Sequence, residues 1–361
     1  MNPLRSEVGG PGLRTAMVAA LAGKFLYSMP QMNLDLAQFS PVVAILAMLV
    51  GGGILVFGAH LLVTAAVAIA RKAKLSPFFI GATLVAFGTS VPELAASLYA
   101  SLTDREGIAL GNVLGSNVAN LGLVLGAVAV VRPIQVSERS LRKDLILVVL
   151  VGLVPLMALP FNDQLTPWHG ILLLGILGAY FWSVRSQRHE LPGEGDESGA
   201  RVATWLIVLG LILGPLMLVA GSQLFVEGAV VVGRRIGISE TVIGLTVVAF
   251  TTSLPELVTS IYAALKGHQE LGIGNILGSC IMNVLGILGL VLLFGSIQVD
   301  PQIYLVDLPA LMVVSIAAVP ILISGRSVVR LEGALLLLIY ISYISILFFL
   351  VPGWFGSPAT E

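Results

Sequence analysis

Gly81-Ala-Thr-Leu-Val-Ala-Phe-Gly-Thr-Ser-Val-Pro-Glu93 returns 163 residues later as Gly244-Leu-Thr-Val-Val-Ala-Phe-Thr-Thr-Ser-Leu-Pro-Glu256, each time inside a long apolar run. Each copy sets a carboxylate beside a helix-breaking proline at what should be bilayer mid-depth. An ionisable group there costs about 2.5–3.5 kcal/mol on insertion scales, and such residues mark ion or substrate sites. No Lys or Arg lies within either helix core to neutralise Glu93 or Glu256. Two such acids in matching contexts point to cations crossing a membrane.

The likeness extends outward from the two acids. Between 81–126 and 244–289, 22 of 46 positions are identical without a gap. Apolar bias alone matches Leu and Val, but it does not match Pro, Glu, Asn and Gly in one register. The same offset relates Gly58 to Gly221, Tyr99 to Tyr262, Ile134-Gln-Val136 to Ile297-Gln-Val299, Asp144 to Asp307 and Gly170 to Gly333. The chain is one unit written twice.

Composition sets the solvent. Of the 361 residues, 57% are hydrophobic and 11% charged, with a mean hydropathy of +0.99. Soluble domains are about a quarter charged, so this is an integral membrane protein. The net charge of −1 is uninformative, and nothing in the basic residues suggests nucleic acid. Cys280 is the only cysteine, which excludes a disulfide framework or a thiolate metal cluster. It reads as a small helix-packing residue. Neither a cofactor nor an obligate protein partner is expected.

Stretches of about 20 apolar residues can span a bilayer. They fall at 42–70, 77–102, 107–131, 144–161 and 168–184, and again at 204–233, 239–265, 270–294, 304–324 and 332–350. The expected fold is therefore an all-α polytopic membrane protein of ten transmembrane helices. Residues 41–184 form the first five-helix repeat, 185–203 a polar Gly-rich linker, 204–350 the second repeat and 351–361 a tail. An odd number of spans separates each residue from its partner, so the second repeat enters the membrane inverted, as in many secondary transporters. Thirteen basic residues lie in the loops on the linker side and three in the opposite loops, which makes the linker cytoplasmic. The expected location is the cytoplasmic (inner) membrane. Residues 1–40 hold only a short apolar stretch after Arg14. This is either an amphipathic or signal-like segment, or, with Met32 as the true start, an extension over 1–31 without function.

The second span carries the chemistry. Pro92 has no N–H, so the carbonyl of Gly88 loses its helical partner and the turn opens. Thr89, Ser90 and Glu93 share one face by their spacing. Unwound carbonyls, two hydroxyls and a carboxylate make an all-oxygen cluster, which suits a hard cation such as Ca²⁺ with its 6–8 oxygen ligands. Thr252, Ser253, Pro255 and Glu256 repeat the arrangement. Thr251 stands there in place of Gly88, so the two openings should differ in flexibility. In the third and eighth spans Gly111-Asn112 and Gly274-Asn275 read as helix starts with Asn as N-cap. Gly115-Ser116 and Gly278-Ser279 are small enough for close helix contact. Asn120 and Asn283 follow one turn later on the same face.

Other polar residues have plainer readings. Asp144 and Asp307 sit where a helix N-terminus favours an acid, and read as caps. Glu227 reads as interfacial. His60 is either a packed polar residue or a proton relay, and the packed residue is the simpler reading.

These motifs resemble the alpha repeats of the calcium:cation antiporter superfamily, in particular the prokaryotic sodium/calcium exchanger branch, over nearly all of 42–350. The resemblance implies a central diamond of spans 2, 3, 7 and 8, with spans 1 and 6 sliding past it in alternating access. It implies ion ligands at Ala86 (carbonyl), Thr89, Ser90, Glu93, Ser116 and Asn120. In the second repeat they are Ala249 (carbonyl), Thr252, Ser253, Glu256, Ser279 and Asn283. Sodium-coupled relatives can carry Asp at the position of Asn283. A neutral Asn at both positions leaves two formal charges, which one Ca²⁺, two Na⁺ or two H⁺ would balance. The expected activity is Ca²⁺/Na⁺ antiport, with calcium and sodium ions and the lipid bilayer as partners. A Ca²⁺/H⁺ antiporter on the same fold is the alternative. A channel would need rings of pore-lining acids, and an intramembrane enzyme would need a nucleophile–base pair; the sequence offers neither. The linker is too short for a Ca²⁺-sensing domain.

Overall fold

The computed structural model describes residues 41–103, 105–135, 138–185, 202–236, 240–323 and 327–349. The expectations for 1–40, for most of the linker and for the tail lie outside these residues. The described chain is mostly helical. Its helices are α1 (Pro41–Ala73), α2 (Pro77–Thr89, then Val91–Leu102), α3 (Glu106–Val131), α4 (Glu138–Gly152) and α5 (Pro167–Arg185). They continue as α6 (Thr204–Arg235), α7 (Glu240–Leu265), α8 (Gln269–Leu292), α9 (Ile303–Leu322) and α10 (Arg330–Phe349). Seven of the described helices are long and apolar enough to cross a membrane, and the two halves of α2, bent by 48°, make an eighth if they are one span.

Burial sorts the helices into a centre and a periphery. The most apolar stretches of α3 and α8 are buried over 78% and 89% of their residues, those of α1 and α6 over 28% each. A helix apolar all round and exposed on most of its surface needs an apolar solvent, which here is lipid. The peripheral pair is long, 33 and 32 residues. At about 1.5 Å per residue each is longer than the roughly 30 Å hydrocarbon core, and both carry basic residues in the last turn. They pack against each other through small residues: a Cβ on Gly51 would lie 2.6 Å from Phe225 N, and one on Gly221 2.8 Å from Leu55 N. The centre is closer still. A Cβ on Gly81 would meet the Leu271 carbonyl, and one on Gly278 would meet the Ala82 backbone. The first half of α2 therefore crosses α8 backbone against backbone, as glycine permits in membrane helix pairs.

Two short antiparallel ladders tie the halves of the chain together. Ile134 pairs with Val328 and Gln135 with Ser327, while Gln164 pairs with Gln298 and Leu165 with Ile297. The offset of 163 exchanges one ladder for the other: Ile134-Gln135 corresponds to Ile297-Gln298, and Gln164-Leu165 to Ser327-Val328. In α4 the expected span over 144–161 is helical to Gly152 and then continues as a 3-10 turn, Val154–Phe161, with prolines at 155 and 160.

The capping expectation for the two aspartates is corrected. Asp144 lies well inside α4, and Asp307 closes a widened π-helical turn, Ile303–Asp307, at the start of α9. Both are buried. Tyr343 donates its hydroxyl to Asp307 Oδ1 at 2.6 Å, and Gln302 Nε2 donates to Oδ2 at 3.3 Å. Tyr180, the counterpart of Tyr343 at the same offset, interacts electrostatically with Asp144. A buried carboxylate is costly without a donor, and a tyrosine on the adjacent helix supplies one while also locking the pair. Tyr343→Phe is therefore expected to cost about 1–3 kcal/mol by stranding a buried acceptor. Thermal unfolding in detergent reads this directly, and an unchanged melting temperature would remove the tyrosine's structural role.

Candidate functional site

The described site residues come together where α2 and α7 meet α3 and α8. Thr89, Ser90, Glu93, Ser116, Asn120, Thr252, Ser253, Glu256, Ser279 and Asn283 are all buried, and Ala86 beside them is fully so. Ala249 lies in the helical backbone of α7. The two halves touch within the site: Ser90 Oγ donates to Glu256 Oε1 at 3.1 Å. Glu256 also lies beside Thr89 and Ser279. The Glu93 and Glu256 carboxylates are near enough to repel each other. Both acids thus belong to one buried cluster.

The local backbone explains how α2 presents its oxygens. The helix breaks at Ser90 (φ −86°, ψ 9°), between Thr89 and Val91, with Pro92 in the first turn of the second half. Ser90 N still donates to Ala86 O at 3.0 Å, and Thr89 Oγ1 donates to the same carbonyl at 3.3 Å. The counterpart in α7 stays one helix through Pro255. The opening expected in α7 is therefore corrected: Pro255 is accommodated within one continuous helix, whereas α2 breaks two residues before Pro92. Widened π-helical turns begin at Asn120 in α3 and span Met282–Leu288 around Asn283 in α8. Such turns commonly mark functional sites.

A second layer of amides, read differently from sequence, holds the cluster. Asn112 and Asn275 are not N-caps: α3 starts at Glu106 and α8 at Gln269, so both asparagines sit inside their helices. Asn112 Nδ2 donates to Ser97 Oγ at 2.9 Å and to the Glu93 carbonyl at 3.3 Å. Asn275 Nδ2 donates to Ser260 Oγ at 3.0 Å, and its Oδ1 accepts from Thr89 Oγ1 at 3.1 Å. Asn117, unremarked in the sequence, donates to the Cys280 carbonyl at 3.1 Å and accepts from Asn283 Nδ2 at 3.1 Å. The signal was available for the first pair, since Ser97 and Ser260 stand at the same offset as Asn112 and Asn275. Asn117 gave none, because its counterpart is Cys280.

What remains unsatisfied is chemically specific. Both oxygens of Glu93, Glu256 Oε2, Asn120 Oδ1, Asn283 Oδ1, Ser253 Oγ and Ser279 Oγ are buried without a hydrogen-bond partner. Orphaned buried polar atoms are rare and costly, and each calls for an explanation. Asn120 Nδ2 is unpartnered beside them, and oxygens of these types are the ligands that a hard divalent cation takes. Among the described residues, no lysine or arginine is buried. A cavity of about 380 Å³ between α3, α9 and α10 has Asp300 and Asp307 on one wall and Asn112 and Ser116 on the other. It joins acidic side chains to one edge of the cluster.

His60 Nδ1 is 2.7 Å from the Tyr262 hydroxyl, linking α1 to α7. Glu227 is half-buried in α6, with Oε2 unpartnered among the described residues.

Comparisons with known proteins agree with this geometry. The family model described as sodium/calcium exchanger protein matches residues 43–184 and 206–349. The putative antiporter CaxA of Alkalimonas amylolytica is 35% identical over 85% of this chain and 99% of its own length. The inner membrane protein YrbG of Escherichia coli is 36% identical over 74% of this chain and 85% of its own. Among solved structures, the sodium-calcium exchanger NCX_Mj soaked with zero Na⁺ and Ca²⁺ superposes with a TM-score of 0.72. It has 32% identity and covers 85% of this chain and 100% of its own.

Proposed function

This chain belongs to the sodium/calcium exchanger protein family, and on that premise we propose that it exchanges Ca²⁺ for Na⁺ across the cytoplasmic membrane by alternating access. The ion is held between Glu93 and Glu256. Ser253, Ser279, Asn120 and Asn283 complete its oxygen shell, with Thr89, Ser90, Thr252 and Ser116 beside them and the Ala86 and Ala249 carbonyls lining the site. The observation that carries this reading is the set of buried, unpartnered oxygens around the two acids.

In this reading the membrane domain is ten helices in two inverted repeats, 41–184 and 204–350, with the 185–203 linker in the cytoplasm. The exchange of the two β-ladders by the 163-residue offset supports such a twofold. The acidic cavity beside Ser116 is the outer access. The long pair α1 and α6, joined through small residues, slides across the α2–α8 crossing to change that access.

Coupling follows from charge. Two carboxylates facing each other in low dielectric resist closing of the bundle. A Ca²⁺ ion or two Na⁺ ions cancel their charge, and either load lets the helices rearrange. Exchange results because the empty, doubly negative site is the state that cannot cross cheaply. Three Na⁺ would leave a net positive charge in the same low-dielectric surroundings. The reversal potential is accordingly expected to fit two Na⁺ per Ca²⁺, and a value that requires three would refute the charge argument. Asn283→Asp adds a third negative charge and is expected to move the ratio toward three.

The deciding experiment is radiolabelled Ca²⁺ uptake into proteoliposomes driven by an outward Na⁺ gradient or by a pH gradient. Uptake that follows Na⁺ and is insensitive to the pH gradient is expected. Uptake that follows the pH gradient alone would make the protein a Ca²⁺/H⁺ antiporter at the same site.

A further inference from the structure

The ends of α1 and α7 and the start of α6 enclose a second cavity, of about 720 Å³, that shares no residue with the ion site. Arg71, Lys72 and Lys266 line it, and none of its described lining residues is acidic. Lys72 Nζ donates to Thr204 Oγ1 at 2.7 Å, and the Lys266 ammonium lies 5.5 Å above the centre of the Tyr262 ring. Among the described residues these contacts are with neutral groups. His268 adds to the crowding: burial, and then the neighbouring Arg71, push its imidazole below its usual pKa. Another cation is therefore unwelcome here, and the cavity does not suit the transported ions.

Val63, Val67, Ala68 and Ile207 give the lining an apolar wall from α1 and α6, beside His60, Thr64 and Tyr262. Trp205, 65% exposed, stands beside Thr204 at the start of α6. Exposed tryptophans at span ends mark the level of the lipid headgroups. The cavity thus joins a cationic mouth at headgroup depth to a hydrocarbon wall inside the bilayer. Basic pockets between membrane helices are suited to phosphate-bearing headgroups.

We propose that this cavity binds one anionic phospholipid, with its phosphate between Arg71, Lys72 and Lys266 and an acyl chain along Val63, Val67 and Ile207. Phosphate alone would leave the apolar wall unused, and a neutral lipid would bring no net negative charge to the three cations. The lipid touches the ends of α1 and α7 and the start of α6, whichever ion the protein transports.

Native mass spectrometry of the full chain in detergent, titrated with phosphatidylglycerol or phosphatidylcholine of equal chain length, tests this without any transport readout. The wild-type chain should take up one phosphatidylglycerol in preference to phosphatidylcholine. The variant Arg71→Gln/Lys72→Gln/Lys266→Gln should bind it on the order of 100-fold more weakly. The charge-preserving variant Arg71→Lys/Lys72→Arg/Lys266→Arg should keep the preference, which separates charge from folding. The proposal fails if the neutralised variant keeps the preference. It fails equally if the wild type shows none and is instead stabilised by inorganic pyrophosphate, which would assign the cavity to a soluble anion. A preference that emerges only once Glu194, Asp196 and Glu197 are neutralised would assign the cavity to the linker and also overturn it.

Discussion

Replacing either acid, as Glu93→Gln or Glu256→Gln, should lower Na⁺-driven Ca²⁺ uptake by at least about 100-fold while the protein still folds. The magnitude follows from the charge removed. At an effective dielectric near 20, a carboxylate about 4 Å from a divalent ion contributes several kcal/mol, and about 1.4 kcal/mol is a factor of ten. Gln keeps the shape of Glu and fills the same buried space, so packing is preserved. It also removes a buried charge that has no cationic partner nearby, so the variants should melt no lower than the parent. Equal losses are expected from the two positions, because both carboxylates act on one ion. Proteoliposome uptake alongside thermal unfolding measures both halves of the prediction. Retained uptake in either variant would remove that residue from the site.

Gly278→Val should abolish the folded protein or reduce its stability severely. The Cβ it introduces meets the Cα and carbonyl of Ala82, which are backbone atoms and have no rotamer to escape into. Overpacking against movable side chains costs about 1–3 kcal/mol, and rigid backbone makes the cost larger. The crossing of α2 and α8 carries the site, since Thr89 and Asn275 bond across it at 3.1 Å. Gly278→Ala, the milder change, should leave the fold but part the two helices and weaken Ca²⁺ binding. Gly175→Ala in α5 is the control, because nothing lies within 4 Å of its added methyl. Fluorescence-detected size exclusion and melting curves would report the order Gly175→Ala, Gly278→Ala, Gly278→Val. A Gly278→Val chain that melts like the parent would contradict the close crossing.

Much of this was legible because a membrane restricts the possible structures. The apolar runs gave the helices, since a spanning segment must satisfy its own backbone. The repeated Thr-Ser-x-Pro-Glu gave the acids, since nothing but function keeps an unpaired carboxylate at that depth. What was not legible depends on partners distant in sequence. Asp144 and Asp307 looked like caps because they begin apolar stretches, and only tertiary packing brings Tyr180 near the one and Tyr343 into a hydrogen bond with the other. Gly111-Asn112 looked like a helix start because both residues are common there. The helix begins earlier, at Glu106, and the asparagine serves Ser97 on α2 instead. An opening was expected in both helices from the repeated proline, but α7 runs unbroken through Pro255, so the proline alone does not decide a break.

The most direct test is calorimetric titration of the purified chain with Ca²⁺. A single ion should bind per chain, Na⁺ should displace it, and either single glutamine variant should remove it entirely. Two independent Ca²⁺ ions per chain, each lost with a different glutamate, would mean that the acids serve separate sites and that the shared-ion account is wrong.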